Sequence, residues 1–198
     1  MANEYVTLED LKTQLSIEAD DATRDVLLNR ARLSASRSID KTTGRRFWLD
    51  TDPVQRTFNP RGRIVREDDG DLFLVDDIGD DTGMVVETGS GASWPSVTGY
   101  ETSPDNALAD GKPIMGLLRP LATWGIATTR LRVTAKFGWP AVPDDIAEAA
   151  MIQATRLYKR KDSPEGIIGS GEWGVRNLSR RDPDVWALIE PYILPGFG

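Results

Sequence analysis

The sequence predicts an α+β protein: a helical bundle of two N-terminal helices plus a third near 143–161, a β-rich insertion, and an extended C-terminal arm containing a short helix. Three observations predict it. Apolar residues recur at helical spacing before residue 44 and again after residue 143. Between about 47 and 138 that spacing stops, Gly, Pro and Asp become frequent, and one segment alternates strictly between apolar and polar residues. The tail, Ser163–Gly198, has 6 Gly and 4 Pro in 36 residues, too many for a regular element. The expected organisation is 1–46 with 139–162 as the bundle core, 47–138 as an inserted domain and 163–198 as the arm.

The first helix is set by Thr7, an N-cap residue, with Glu9 and Asp10 favouring the positive helix end and Leu8, Leu11 and Leu15 on one face. The second is expected to start at Asp20 or Asp21 and to run to about 43. Its seam is Leu28, Ala31, Ala35 and Ile39, and Gly44 stands where a left-handed C-cap belongs. Small residues along it (Ser34, Ala35, Ser36, Ser38) allow another helix to approach closely. Strands are expected at Gln55–Asn59, Asp71–Asp76, Gly83–Thr88 and Arg130–Phe137. In the last, Leu131, Val133, Ala135 and Phe137 share one face and Arg130, Arg132, Thr134 and Lys136 the other, as in an antiparallel sheet with one wet side. Pro143 suits the first position of the third helix and Asp144 and Asp145 its first turn. Ile146, Ala149, Ala150, Gln153 and Leu157 form its seam, and Asp162-Ser163-Pro164 stops it. In the tail, Asp182 caps a short helix with Pro183 at its first position and Val185, Trp186, Leu188 and Ile189 along it.

Composition narrows the chemistry. The 198 residues include no Cys and no His. Thiolate nucleophiles, iron–sulfur clusters and the usual general base of a Ser or Cys triad are therefore excluded, while carboxylate and Lys chemistry survive. The net charge is −7, which argues against a protein that coats duplex DNA. No basic start followed by an apolar stretch marks a signal peptide, and no apolar run is long enough to span a membrane.

Several motifs compete for a functional role. Gly169-Ser-Gly171-Glu-Trp-Gly174 matches G-x-G-x-x-G, but it lacks the flanking strand and helix that a dinucleotide site needs, so it reads as a turn in the arm. Glu67, Asp68, Asp69, Asp71, Asp76, Asp77, Asp80 and Asp81 form a dense acidic stretch, and residues 51–110 hold 4 basic against 13 acidic residues, a net of −9. No window fits a calcium loop. Solvated turns, adventitious cation binding and an acidic face that avoids DNA all fit that stretch. Six Trp residues and abundant carboxylates leave open a carboxylate-based hydrolase or a carbohydrate-binding module. Arg30, Arg37 and Lys41 lie on one face of the second helix, opposite its apolar seam, as a solvated face or an electrostatic contact.

Three segments carry a family resemblance. The first runs from Tyr5-Val-Thr-Leu-Glu-Asp-Leu-Lys through the long helix to Thr43-Gly44-Arg45-Arg46-Phe47. The second is Val133-Thr-Ala-Lys-Phe-Gly-Trp139-Pro-Ala-Val-Pro143-Asp-Asp-Ile-Ala-Glu-Ala. The third is Leu157-Tyr-Lys-Arg-Lys-Asp162-Ser-Pro164-Glu-Gly166, with Asp182-Pro183 and Pro191-Tyr192 following. Together they resemble the head–tail connector (adaptor, or head-completion) proteins of long-tailed bacteriophages. The resemblance implies a structural virion protein of the head–tail junction, made in the host cytoplasm, with no catalytic, metal or cofactor site. It implies a ring, a dodecamer, beneath the portal that extends the DNA channel and links capsid to tail. The implied partners are the portal protein, neighbouring copies and the next neck or tail protein, with DNA passing without specific binding and no membrane involved. Matching the family's C-terminal segment, Asp162–Tyr192 becomes a docking arm whose contact residues are Ile167, Ile168, Trp173, Val175, Leu178, Trp186 and Tyr192. The β-rich stretch departs from the small all-helical members. Another neck or tail-completion protein is the alternative within the class.

Overall fold

The computed structural model describes residues 3–125, 129–160 and 182–194, together with the backbone of 167–168 and 176–177. Among them the chain is α+β and divides into two compact units, 1–45 with 142–195 and 46–141.

The first unit is helical. Helix α1 is Leu8–Gln14, and its Thr7 side chain accepts from the Asp10 amide as the sequence requires. Helix α2 is Asp25–Thr43 and ends on Gly44 in the left-handed region, φ 70°. Its start falls four residues later than Asp21, because the Asp21 carboxylate is spent on the Thr23 amide in a local turn. Helix α3 is Asp144–Lys159, with Pro143 as its N-cap rather than its first helical residue. The buried face of α3 is Ile146, Ala149, Ala150, Ala154 and Tyr158. The expected seam residues Gln153 and Leu157 are only half-buried, so the face turns by one residue in its second half, where the small Ala154 and the large Tyr158 take the inside. Helices α2 and α3 pack together, and both present small buried residues, Ala31, Ala35 and Ser36 on α2 and three alanines on α3. Ser36 is fully buried and satisfied: it accepts from the Tyr5 amide at 3.1 Å and donates to the Arg32 carbonyl at 2.9 Å.

Helix α4, Pro183–Ile189, packs on α3 through buried Val185 and Ile189, and a 3₁₀ turn, Glu190–Tyr192, follows it. Asp182 caps α4 by accepting from the Asp184 and Val185 amides and also meets Arg156 of α3 at 3.1 Å. The chain then straps back onto the end of α2: the Leu194 amide donates to the Thr43 carbonyl, and Arg45 Nε to the Tyr192 carbonyl at 2.8 Å. In the arm, Ile167–Ile168 (β7) pairs antiparallel with Arg176–Asn177 (β8).

The second unit is an antiparallel sheet in the order β1-β6-β3-β5-β4, with β2 also paired to β3. The strands are β1 (Val54–Phe58), β2 (Ile64–Glu67), β3 (Gly70–Gly89), β4 (Glu101–Ser103), β5 (Ile114–Pro120) and β6 (Arg130–Phe137). Strand β6 has the alternation read from sequence, with all four apolar residues buried. The two expected strands at 71–76 and 83–88 are one strand. β3 runs 20 residues, pairing with β5 in its first half and β6 in its second, and Ile78 faces both Ile114 and Phe137. Register shifts around 74–85 bend it there, so that one strand serves two neighbours. The core is one cluster drawn from every strand except β2 and β4, including Phe58, Phe73, Ile78, Leu117, Val133 and Phe137, with Trp124 from the turn after β5.

The ends of this unit meet. The Asp50 amide donates to the Phe137 carbonyl at 2.9 Å, Arg46 donates to the same oxygen, and Phe47 lies 5.3 Å from Trp139 between ring centroids. Gly138 is required here: its φ is +116°, and an added Cβ would lie 1.9 Å from the Trp48 carbonyl oxygen.

Candidate functional site

Two surfaces stand out, one on each unit. On the helical unit, the outward face of α2 carries Val26, Arg30, Leu33, Arg37 and Lys41 at steps of 4, 3, 4 and 4, which is a single helical stripe. It is opposite the seam that packs against α1 and α3. Val26 is 80% exposed and Leu33 44%, with Leu27 beside them at 46%. The face thus mixes exposed apolar and basic side chains. Arg37 is partly engaged within its own chain: it donates to the Asn3 carbonyl, pairs with Asp40 at 3.2 Å and stands over the Tyr5 ring. Arg30 and Lys41 are exposed and have no ion pair among the described residues. Sequence reasoning thus found the basic half of this stripe and missed Val26 and Leu33, although their spacing to Arg30 was available.

On the β unit, the turn after β5 presents Leu121, 91% exposed, at a left-handed φ of 52°. A branched residue rarely takes that conformation unless the surroundings hold it there. They do. The Leu121 amide donates to the Asp69 carbonyl at 2.7 Å, the Ala122 amide to the Arg119 carbonyl, and Arg119 Nη1 to the Thr123 carbonyl. Beneath them Trp124, 2% exposed, shares its indole N–H between the Asp71 and Leu117 carbonyls at 2.8 and 3.1 Å. The backbone therefore holds Leu121 out from the sheet as a projection. Beside it the β2–β3 turn exposes Glu67, Asp68 and Asp69. No sequence signal marked Leu121, since its exposure is decided by a turn that long-range contacts build.

The rest of the acidic stretch disperses into the sheet. Asp76 is bridged by Arg56 at 2.9 Å and Arg63 at 3.4 Å, Asp77 accepts from the Trp139 indole, and Asp71 is buried. Asp80 is held down to about 2, chiefly because the Thr82 hydroxyl and amide donate to its carboxylate, with Lys136 at 3.0 Å adding to this. Among the described residues no group of three or more acids is placed to hold a metal ion, and no helix is long and apolar enough to cross a membrane.

Of the docking residues expected in the arm, Trp173, Val175 and Leu178 lie outside the described residues, and only the backbone of Ile167 and Ile168 is described. Trp186 is half-buried on α4. Tyr192 is half-buried, and its hydroxyl donates to Asp145 at 3.3 Å. Burial first, and then the charge of Asp145, push its pKa above the usual tyrosine value.

No protein-family model matches the sequence, and no curated protein matches it either. Solved structures do. A chain in the neck of an empty gene transfer agent particle, computed with C6 symmetry, superimposes with a TM-score of 0.56 at 18% identity, covering 96% of this chain and 91% of that one. Chains of the native particle's virion (TM-score 0.48, 16% identity, 96% of this chain and 91% of that one) and of its neck computed with C12 symmetry (0.46, 16%, 96% and 89%) also match. At such identity the first likeness is one of fold, over 96% of this chain. This chain therefore shares, over nearly its whole length, the fold of a chain in the neck of a phage-like particle.

Proposed function

We propose that this chain is a structural protein of the neck of a phage-type particle: the head–tail adaptor that forms a ring beneath the portal, extends the DNA channel and links capsid to tail. The observation that carries this reading is the fold shared with a neck chain over 96% of the residues, β insertion included. The sequence segments resembling connectors fall at both ends of the chain and at the entry to α3, so two independent readings coincide. A ring of identical subunits needs two different, complementary surfaces on each copy, and the molecule offers distinct exposed apolar surfaces on its two units. The docking portion of the arm is assigned to Ile167–Leu178. Asp182–Leu194 is engaged on its own bundle, through Val185, Ile189, Asp182 and Tyr192.

Native mass spectrometry of the full chain, alone and mixed with the portal ring, tests this. A ring mass or stoichiometric capture by the portal is expected, and Trp173→Ala should weaken capture without lowering the melting temperature. A chain that stays monomeric and ignores the portal but binds the tail tube would reassign it to tail completion. Binding neither would refute the neck reading.

A further inference from the structure

We infer that the outward face of α2 receives the Leu121 turn of a second copy of this chain, and that this contact joins neighbouring subunits. The inference rests on the ring reading above and specifies which surfaces meet.

Each surface lacks what the other supplies. The α2 stripe has exposed apolar groups, Val26 and Leu33, with Arg30 between them and Lys41 two turns further on, and neither cation has an ion pair among the described residues. It suits an occupant that offers an apolar group with acids beside it. The Leu121 turn has that composition. A single leucine projects almost fully, and Glu67, Asp68 and Asp69 lie beside it on the turn whose Asp69 carbonyl binds the Leu121 amide. Even with Arg61, Arg66 and Arg119 counted, this end of the sheet is net negative, since Asp71 adds a fourth acid. Apolar groups thus meet apolar groups and the neighbouring charges oppose in sign, the complementarity that fixes register and suppresses wrong partners.

Two like surfaces cannot serve instead. An α2 face against another α2 face sets Arg30 and Lys41 against their own copies, and two Leu121 turns bring acids together. The contact is therefore heterologous, head to tail, which is the kind that closes into rings. The rigidity of the turn supports this use. A turn whose backbone is already fixed loses little freedom on docking.

The absence of native cysteine makes the test clean. A Leu33→Cys chain and a mass-tagged Leu121→Cys chain are mixed before assembly, with portal present if the chain alone stays monomeric, and then oxidised. The expected product is a disulfide-linked heterodimer, seen by mass spectrometry, that no intramolecular bond can mimic. Placing Asp68→Lys and Asp69→Lys in the Leu121→Cys chain should lower its yield about tenfold. Adding Arg30→Glu and Lys41→Glu to the Leu33→Cys chain should restore it. Rings of the unaltered protein without any heterodimer from the cysteine pair would overturn the contact and leave the adaptor reading standing. Failure of the unaltered protein to form rings, alone and on the portal, would overturn both.

Discussion

Replacing Trp124 by Phe tests whether the Leu121 turn is held from beneath. The substitution removes one N–H shared by two carbonyls and leaves a slightly smaller ring in a site that is 2% exposed. Loss of a buried hydrogen bond costs about 1 kcal/mol, and two buried carbonyls losing a donor push this toward the upper end. The volume difference between indole and phenyl, about 40 Å³, adds about 1 kcal/mol if the site does not collapse. Contact with Phe73, 6.0 Å between centroids, survives because a phenyl ring still occupies the place. The expected destabilisation is about 2 kcal/mol, which lowers the melting temperature of a unit this size by about 8–16 °C if it melts on its own. Urea unfolding followed by circular dichroism measures the first figure and a thermal scan the second. Trp94→Phe is the control. Its indole makes an exposed hydrogen bond to Gly91 and a phenyl ring still lies beneath Arg132, so it should cost less than about 1 kcal/mol. The same Trp124→Phe background should reduce cross-linking through Leu121→Cys, since the turn is no longer fixed. If Trp124→Phe unfolds at the same urea concentration as the unaltered protein, the anchoring argument is wrong.

Other outcomes follow from single sites. Asp182→Ala removes the α4 cap and the partner of Arg156 and should cost about 1–2 kcal/mol by urea unfolding, while Asp182→Asn, which keeps a capping oxygen, should cost less. Gly138→Ala drives a Cβ into the Trp48 carbonyl and should abolish soluble expression or lower stability by more than about 4 kcal/mol. Gly83→Ala, with φ +70° but open space around it, should cost about 1 kcal/mol. Asp80 has a pKa depressed from 3.8 to about 2. Its favourable contribution is therefore complete above the unfolded value and lost as pH falls through about 2. A carboxyl NMR titration should place its midpoint there, and Thr82→Ala should move it back toward 3.8; a midpoint already near 3.8 in the unaltered protein would contradict the assignment.

What could be read from sequence was what local chemistry decides. Thr7, Gly44 and Asp182 mark helix ends because capping involves residues within a few positions. Strand β6 was legible because one of its faces is wet. Strand β5 was not: Ile114, Gly116 and Leu117 are buried with no alternation, and Gly116 is small because Leu72 of β3 crowds it from the neighbouring strand. The middle of β3, residues 76–81, has no apolar period, only Ile78 among four Asp and a Gly, and reads as a turn, yet the pairing of Ile78 with both neighbouring strands keeps it extended. The basic half of the α2 stripe was visible as charge, but its apolar half became meaningful only once the opposite seam was seen to be fully occupied. Leu121 was invisible because its exposure depends on Asp69 of the β2–β3 turn, some fifty residues away, meeting Arg119 and Trp124 around the end of β5.

The clasp at the base of the sheet has a consequence for how such a chain can arise. Because Arg46, Phe47 and Asp50 meet Phe137 and Trp139, the 96 residues of the β unit begin and end at nearly one point. To the helices they amount to a short, already closed connection, so the entropy of closing so long a loop is borne inside the sheet. A lineage could therefore gain, lose or exchange the whole sheet between α2 and α3 without rebuilding the bundle. The acidic turn and Leu121 would travel with it, making the sheet a transferable cassette of binding specificity.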